Sequence, residues 1–170
     1  YWTTANEAAD AGWLAHYLIE CDIRDVVPKF PPVSKEIGDK AETCYLNFLE
    51  WKDTVKFRVH SVEPHLISER WQYGLTPDCI AEIKGKLALF DWKTGNDVYE
   101  DMLIQLSAYR VGWEENFPDK PLEGGFYLLH IKKDTAAFTF HWWHDLSDAW
   151  VAFVNLLTLH SAHKRLKKLV

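Results

Sequence analysis

Two hydrophobic periods alternate along this chain. In residues 4–24, Ala8, Trp13, Leu14, Tyr17 and Leu18 recur near helical spacing. That pattern predicts a first helix, closed by the proline-rich break VVPKFPPVS. Residues 35–52 resume helical spacing with Ile37, Cys44, Tyr45, Phe48, Leu49 and Trp51. The period then shortens to that of strands, over 56–68, 71–83 and 87–93, with turns at 68–70 and around Gly85. A third helix is predicted over 101–116, ended by FPDKPLEGG. FYLLHIKK and AFTFHWWH predict a hairpin about Lys133 and Asp134. DLSDAWVAFVNLLTLHSAHKRLKK predicts a closing amphipathic helix with Asp145 or Ser147 as its N-cap. The order is ααβββαββα, a single α+β (α/β) domain over residues 1–170 built on a mixed sheet. The chain opens on Tyr1 inside a helical pattern, so further N-terminal residues are expected to precede it.

One strand breaks its own pattern. In GKLALFDWKTG, four apolar residues are followed by Asp91 and Lys93. Side chains alternate along a strand, so Leu87, Leu89, Asp91 and Lys93 share a face. On the preceding strand Asp78, Ile80 and Glu82 share a face. A two-residue turn at Lys84-Gly85 would set Asp91 opposite Asp78, and one at Gly85-Lys86 would set it opposite Ile80. Either register gathers Asp78, Asp91 and Lys93 on one face, whereas a three-residue turn would part them. From spacing alone, two readings fit. One is a salt-bridged surface with Lys93 between two aspartates. The other is a site for Mg²⁺ or Mn²⁺, both of which favour carboxylate oxygen.

Composition narrows the classes. The 170 residues are 48% hydrophobic with nine tryptophans, enough for one globular core. Three cysteines, Cys21, Cys44 and Cys79, have no zinc spacing and are expected to be reduced and buried, which predicts an intracellular, cytoplasmic protein. No apolar run is long enough for a bilayer, so no membrane partner is expected. The net charge of −6 disfavours a phosphate-backbone partner unless cations fill an acidic cleft. The basic tail HSAHKRLKKLV reads as a solvated helix end favoured by the macrodipole. No phosphate-binding G-x-x-x-x-G-K-[ST] loop occurs.

Further polar residues fall at suggestive intervals. His16 and Glu20 lie one turn apart on the first helix, and Gln105 and Tyr109 repeat that spacing on the third. Taken singly, His16 and Glu20 read as an ordinary surface pair, and Gln105 and Tyr109 as packing and solvent contacts. Glu63 stands at a strand end before Pro64. In order, the chain carries His16, Glu63, TPD with Asp78, DWK with Asp91 and Lys93, and QLSAY with Gln105 and Tyr109. This series resembles the RecB-like branch of the PD-(D/E)XK nuclease superfamily. DCIAEIKGKLALFDWKTG followed by QLSAYR is most similar to the mitochondrial genome maintenance exonucleases and their phage and bacterial relatives. The likeness is close over residues 73–110 and extends in layout over 12–133.

The resemblance implies a restriction-endonuclease-like core, with a mixed sheet flanked by helices, and Mg²⁺- or Mn²⁺-dependent hydrolysis of DNA. It implies metal ligation by Asp78, Asp91, His16 and the Trp92 carbonyl. Lys93 would orient water or stabilise phosphate charge. Gln105 and Tyr109, with Thr94 and Glu20, would support the site and contact the strand. Glu63 matches an acid of less defined role. It further implies an exonuclease on single-stranded or frayed ends, bacterial or phage-encoded, working beside recombination or replication proteins. The alternative is a binding subunit without catalysis. Two departures stand out. Leu75 occupies the position where relatives commonly carry glycine, and the cysteines do not fit the four of an iron–sulfur cluster, so none is expected. Trp71, Trp113, Trp142 and Trp143 are candidates for stacking on unpaired bases, with most tryptophans expected in the core.

Overall fold

The structure is a computed structural model and describes residues 4–169. Helix α1 (Thr4–Ile23) and helix α2 (Lys35–Thr54) pair along their apolar stripes. Ser34 caps α2, its Oγ accepting from the Ile37 N–H at 3.3 Å. Ile37, Ala41, Cys44, Phe48 and Trp51 form the buried stripe of α2, three to four residues apart. The prolines between the helices keep residues 26–34 out of regular structure.

Among the described residues, seven strands follow: β1 (Arg58–Val62), β2 (Leu66–Ser68), β3 (Tyr73–Leu75), β4 (Cys79–Ile83), β5 (Lys86–Lys93), β6 (Phe126–Ile131) and β7 (Phe138–Trp143). Five of them make one sheet in the order β1-β4-β5-β6-β7, and β2 and β3 make a separate hairpin. Only β5 and β6 run parallel, joined through helix α3 (Glu100–Asn116), so the sheet is mixed. Helix α4 (Ser147–Leu166) lies against α3 and has no fully buried residue. The expected architecture, a mixed central sheet flanked by helices, is therefore present.

The sheet divides two hydrophobic cores. Ala88, Phe90 and Trp92 of β5 pack toward α1 and α2, together with Leu14, Leu18, Phe48 and Trp51. Leu89 and Ile80 pack toward α3, with Leu106 and Trp113. Alternation along β5 explains the split. At about 25 cal/mol per Å² of apolar surface, such a pair of cores supplies the main driving force for folding. Among the described residues, no helix is long and apolar enough to cross a membrane. Cys21, Cys44 and Cys79 are buried free thiols.

The structure refines several expected boundaries. The segment 56–68 is not one strand but β1 and β2, because Glu63 takes a left-handed φ of 44° directly before Pro64. The segment 71–83 likewise splits into β3 and β4 at Thr76 and Pro77. The observed order is ααβββββαββα. β6 and β7 form the expected hairpin, joined by a loop over 132–137 that contains Lys133 and Asp134. Neither Asp145 nor Ser147 is the N-cap of α4. Leu146 holds that position, while Asp145 Oδ2 accepts from the Ser147 N–H at 3.1 Å and Ser147 opens the helix.

Candidate active site

The site begins with a turn. Lys84 and Gly85 have φ of 50° and 79°, the pair of left-handed residues that a two-residue type I′ hairpin needs. Ile83 therefore pairs with Lys86, and the register runs up to Cys79 opposite Phe90. One step further along, Asp78 stands across from Asp91. Of the two turns open to the sequence, the structure adopts Lys84-Gly85. Asp78 is fastened there by the Trp92 N–H, which donates to Asp78 Oδ2 at 2.7 Å.

His16 arrives from the other layer. It projects from α1 and brings Nδ1 to 3.5 Å from Asp78 Oδ1. From the α3 side, Lys93 Nζ lies 2.8 Å from Asp91 Oδ2 and donates to Gln105 Oε1 at 2.7 Å. Gln105 Nε2 donates in turn to the Tyr109 hydroxyl at 2.7 Å. Because that hydroxyl accepts from the amide, its own proton is left for another acceptor. The helical interval of four, read as ordinary packing in isolation, here builds a relay from Asp91 to Tyr109.

Asp91 is the most constrained member. It is 1% exposed. Its Oδ2 has Lys93 as an ion-pair partner, and among the described residues no donor besides that ammonium reaches either carboxylate oxygen. Burial, reinforced by the Asp78 charge, pushes its carboxyl up to about 7 despite Lys93. Burial acts on Asp78 in the same sense, but His16, Lys93 and the Trp92 N–H outweigh it and hold that carboxyl below its ordinary value. For His16, burial favours the neutral ring, while Asp78 more than compensates and raises the imidazole. Burial and the two aspartates raise Tyr109, which keeps its proton.

The donor set fits a hard divalent cation. A buried Asp91 carboxylate beside a partly buried Asp78 carboxylate is costly unless positive charge is supplied. Among the described residues, no three His, Cys, Asp or Glu side chains form a ready-made metal cage. Mg²⁺ does not need one, since one or two carboxylates completed by water and substrate phosphate suffice.

The remaining expected residues sit around this centre. The Glu63 N–H donates to the Asp78 carbonyl at 2.9 Å, tying the end of β1 to the site strand. Burial and the Glu20 and Asp78 charges raise the Glu63 carboxyl. Glu20 accepts from Arg24 Nε at 2.7 Å, and Arg24 Nη2 donates to the Val62 carbonyl at 2.9 Å. Arg24, held by Glu20, thus ties the end of α1 to β1. Thr94 is buried, and a Cβ on Gly12 would come 2.8 Å from its Oγ1, so the bare glycine lets α1 approach the end of β5. The Trp92 indole packs in the α1–α2 core against Phe48 and Trp51. Leu75, in place of a glycine, finds its space on Gly112 of α3, where a Cβ would come 2.6 Å from Leu75 Cδ2.

The tryptophans sort differently from expectation. Trp113 is buried, with Nε1 donating to the Lys120 carbonyl at 2.8 Å. Trp71 meets Trp150 edge-on, and Trp143 stacks on His141. Trp142 is exposed but donates to the Gly124 carbonyl at 2.9 Å. Trp13, which helical spacing places with the apolar residues of α1, is instead 58% exposed. It lies three residues before His16, and that interval was the available signal.

No family model matches this sequence, and no curated protein matches it either. The fold has a solved counterpart. A protein of Eubacterium rectale named "Putative exonuclease" superposes with a TM-score of 0.60 at 10% sequence identity. The alignment covers 90% of this chain and 65% of that protein. This chain therefore spans about two thirds of its counterpart's length. At such low identity the likeness is one of fold: a five-stranded mixed sheet with helices on both faces.

Proposed function

We propose that this chain is a metal-dependent DNA nuclease of the RecB-like PD-(D/E)XK type, an exonuclease acting on single-stranded or frayed ends. The observation that carries this reading is Asp91. It is a carboxylate 1% exposed, next to Asp78, with the Lys93 ammonium as its ion-pair partner at 2.8 Å. A surface salt-bridge network, the competing reading of the spacing, does not bury its members in this way. The five-part order of the sequence, now gathered at one end of the sheet, and the name of the Eubacterium rectale counterpart point the same way.

Asp78 and Asp91 would hold one or two Mg²⁺ or Mn²⁺ ions, with His16 and the Trp92 carbonyl as further ligands. Bound there, the cation supplies Lewis acidity toward a phosphoryl oxygen and lowers the pKa of water. Lys93, held between Asp91 and Gln105, presents a fixed positive charge to the phosphate as negative charge develops. Gln105 orients both Lys93 and Tyr109, and the Tyr109 hydroxyl offers its proton to a phosphate oxygen. Glu63 and Glu20 brace the strand and helix that carry Asp78 and His16. Thr94 keeps α1 seated on β5.

The test uses labelled single- and double-stranded DNA with Mg²⁺, Mn²⁺ or chelator, for the wild type and for Lys93→Ala. Metal-dependent cleavage lost in the variant supports the nuclease. Tight binding without cleavage by the wild type would replace it with a catalytically silent binding subunit. Neither binding nor cleavage overturns both.

A further inference from the structure

The outer surface of α1 carries an aromatic pair at the edge of one core: Tyr17 packs against that core, and Trp13 stands outside it. Trp13 and Tyr17 lie parallel, with ring centroids 5.9 Å apart and planes within 4°. The Tyr17 hydroxyl accepts from the Lys29 N–H at 2.9 Å, so the inner ring is pinned to the loop after α1. Tyr17 thereby fixes the orientation of the outer ring, which remains 58% exposed. Exposing a large aromatic in a fixed orientation forgoes burial that the ring would otherwise gain.

Its position on the helix is specific. At 100° per residue, Trp13, His16, Tyr17 and Glu20 fall within one stripe about 100° wide. His16 is the residue of that stripe that reaches Asp78. Trp13 is one turn earlier, about 4.5 Å along the axis. A stacked nucleotide advances about 3.4 Å along its strand. A strand whose phosphate sits at Asp78 and Asp91 would thus bring a base one or two nucleotides away over the indole.

We infer that Trp13, backed by Tyr17, is a stacking platform for an unpaired nucleobase of the strand being cut. The inference rests on the nuclease reading above and adds a binding subsite to it. A base stacks on such a platform only when it is free of its partner strand, so the subsite selects single-stranded or frayed ends. It reads no sequence, because every base has a π-face.

The experiment measures binding of fluorescent oligonucleotides, with Ca²⁺ replacing Mg²⁺, by wild type, Trp13→Ala and Trp13→Phe. Trp13→Ala is expected to weaken single-strand binding roughly 5- to 150-fold, the span of one base–aromatic stack. Trp13→Phe should retain most of the affinity. In Mg²⁺ the KM for a single-stranded substrate should rise with the loss of binding. A single abasic position, moved along the oligonucleotide, should cost the wild type a similar factor at one place and cost Trp13→Ala nothing more there. Wild-type affinity in Trp13→Ala, or an abasic penalty that survives in it, overturns the platform while leaving the nuclease intact. A wild type that neither binds nor cleaves DNA overturns the nuclease reading itself. Thermal melts of the variants should match the wild type, since the ring contributes little to the core.

Discussion

Asp78 and Asp91 face each other across the β4–β5 hairpin, one pair beyond Cys79 and Phe90, and the Trp92 N–H binds the first of them at 2.7 Å. Two carboxylates with a common end of a hairpin depend on a single turn for their meeting. That dependence leads to the first prediction. Inserting one glycine between Lys84 and Gly85 shifts the pairing by one residue or bulges it, and turns Asp78 away from Asp91. DNA cleavage should fall at least about 100-fold, as expected when reacting groups are misplaced. A matching insertion in the 132–137 loop, remote from the pairing, should leave cleavage near wild type in the same assay.

The raised carboxyl of Asp91 predicts a pH dependence of stability. Its folded value of about 7 lies above the ordinary 3.8, so the folded state binds the proton more tightly. The contribution is fully present below about pH 4 and is lost as pH rises through about 7. His16, raised above 6.5 chiefly by Asp78 against the opposing effect of burial, acts in the same sense. Metal-free wild type should therefore melt at higher temperature at pH 5.5 than at pH 7.5. Each full proton of difference is worth about 1.4 kcal/mol per pH unit. Asp91→Asn should flatten that slope. Mg²⁺ competes with the same proton, so it should raise the wild-type melting temperature more at pH 8 than at pH 6. Calorimetry across that range checks all three.

The Lys93–Gln105–Tyr109 relay predicts a graded loss of activity. Tyr109→Phe removes one hydroxyl and leaves the ring, so kcat should fall about 10- to 100-fold with KM little changed. Gln105→Leu removes partners from both Lys93 and Tyr109 and should cost more than Tyr109→Phe. The double variant should lose little beyond Gln105→Leu alone, because the two act as one unit. Single-turnover kinetics with both variants and the double would show additivity instead if the residues acted separately.

Leu75 and Gly112 predict a compensating pair. Gly112→Ala drives a methyl to within 2.6 Å of Leu75 Cδ2, an overpacking that should cost about 1–3 kcal/mol. Leu75→Val withdraws the terminal carbons and should restore part of that stability in the double variant. Urea denaturation of the four proteins gives the coupling.

The centre was unusually legible because its parts sit on regular elements. Strand alternation placed Asp91 and Lys93 together, and either two-residue turn at Gly85 would bring Asp78 to the same face, whereas the turn length itself was settled only by the left-handed Lys84 and Gly85. Helical spacing placed Gln105 with Tyr109. What periodicity could not supply was the relation between layers. Nothing in the interval between His16 and Asp78 says that α1 reaches the sheet end. The close approach follows from the missing side chain at Gly12 beside Thr94. The same approach decides which edge of α1 is buried, and it leaves Trp13 outside although its spacing groups it with Leu14 and Leu18. The strand breaks were hidden for another reason. Glu63 adopts a left-handed φ that glutamate rarely takes, so propensity gave no sign of it.

The two cores on either side of the sheet bear on when this centre exists during the life of a chain. His16 belongs to α1, whereas Gln105 and Tyr109 belong to α3, more than eighty residues later in the chain. Neither layer alone holds the full constellation. A nascent chain has no working centre until synthesis has passed Tyr109 and both helical layers have closed on β5. A chain cut or unfolded in one layer loses the centre along with it. Whatever chemistry the centre performs is thereby tied to completion of the fold.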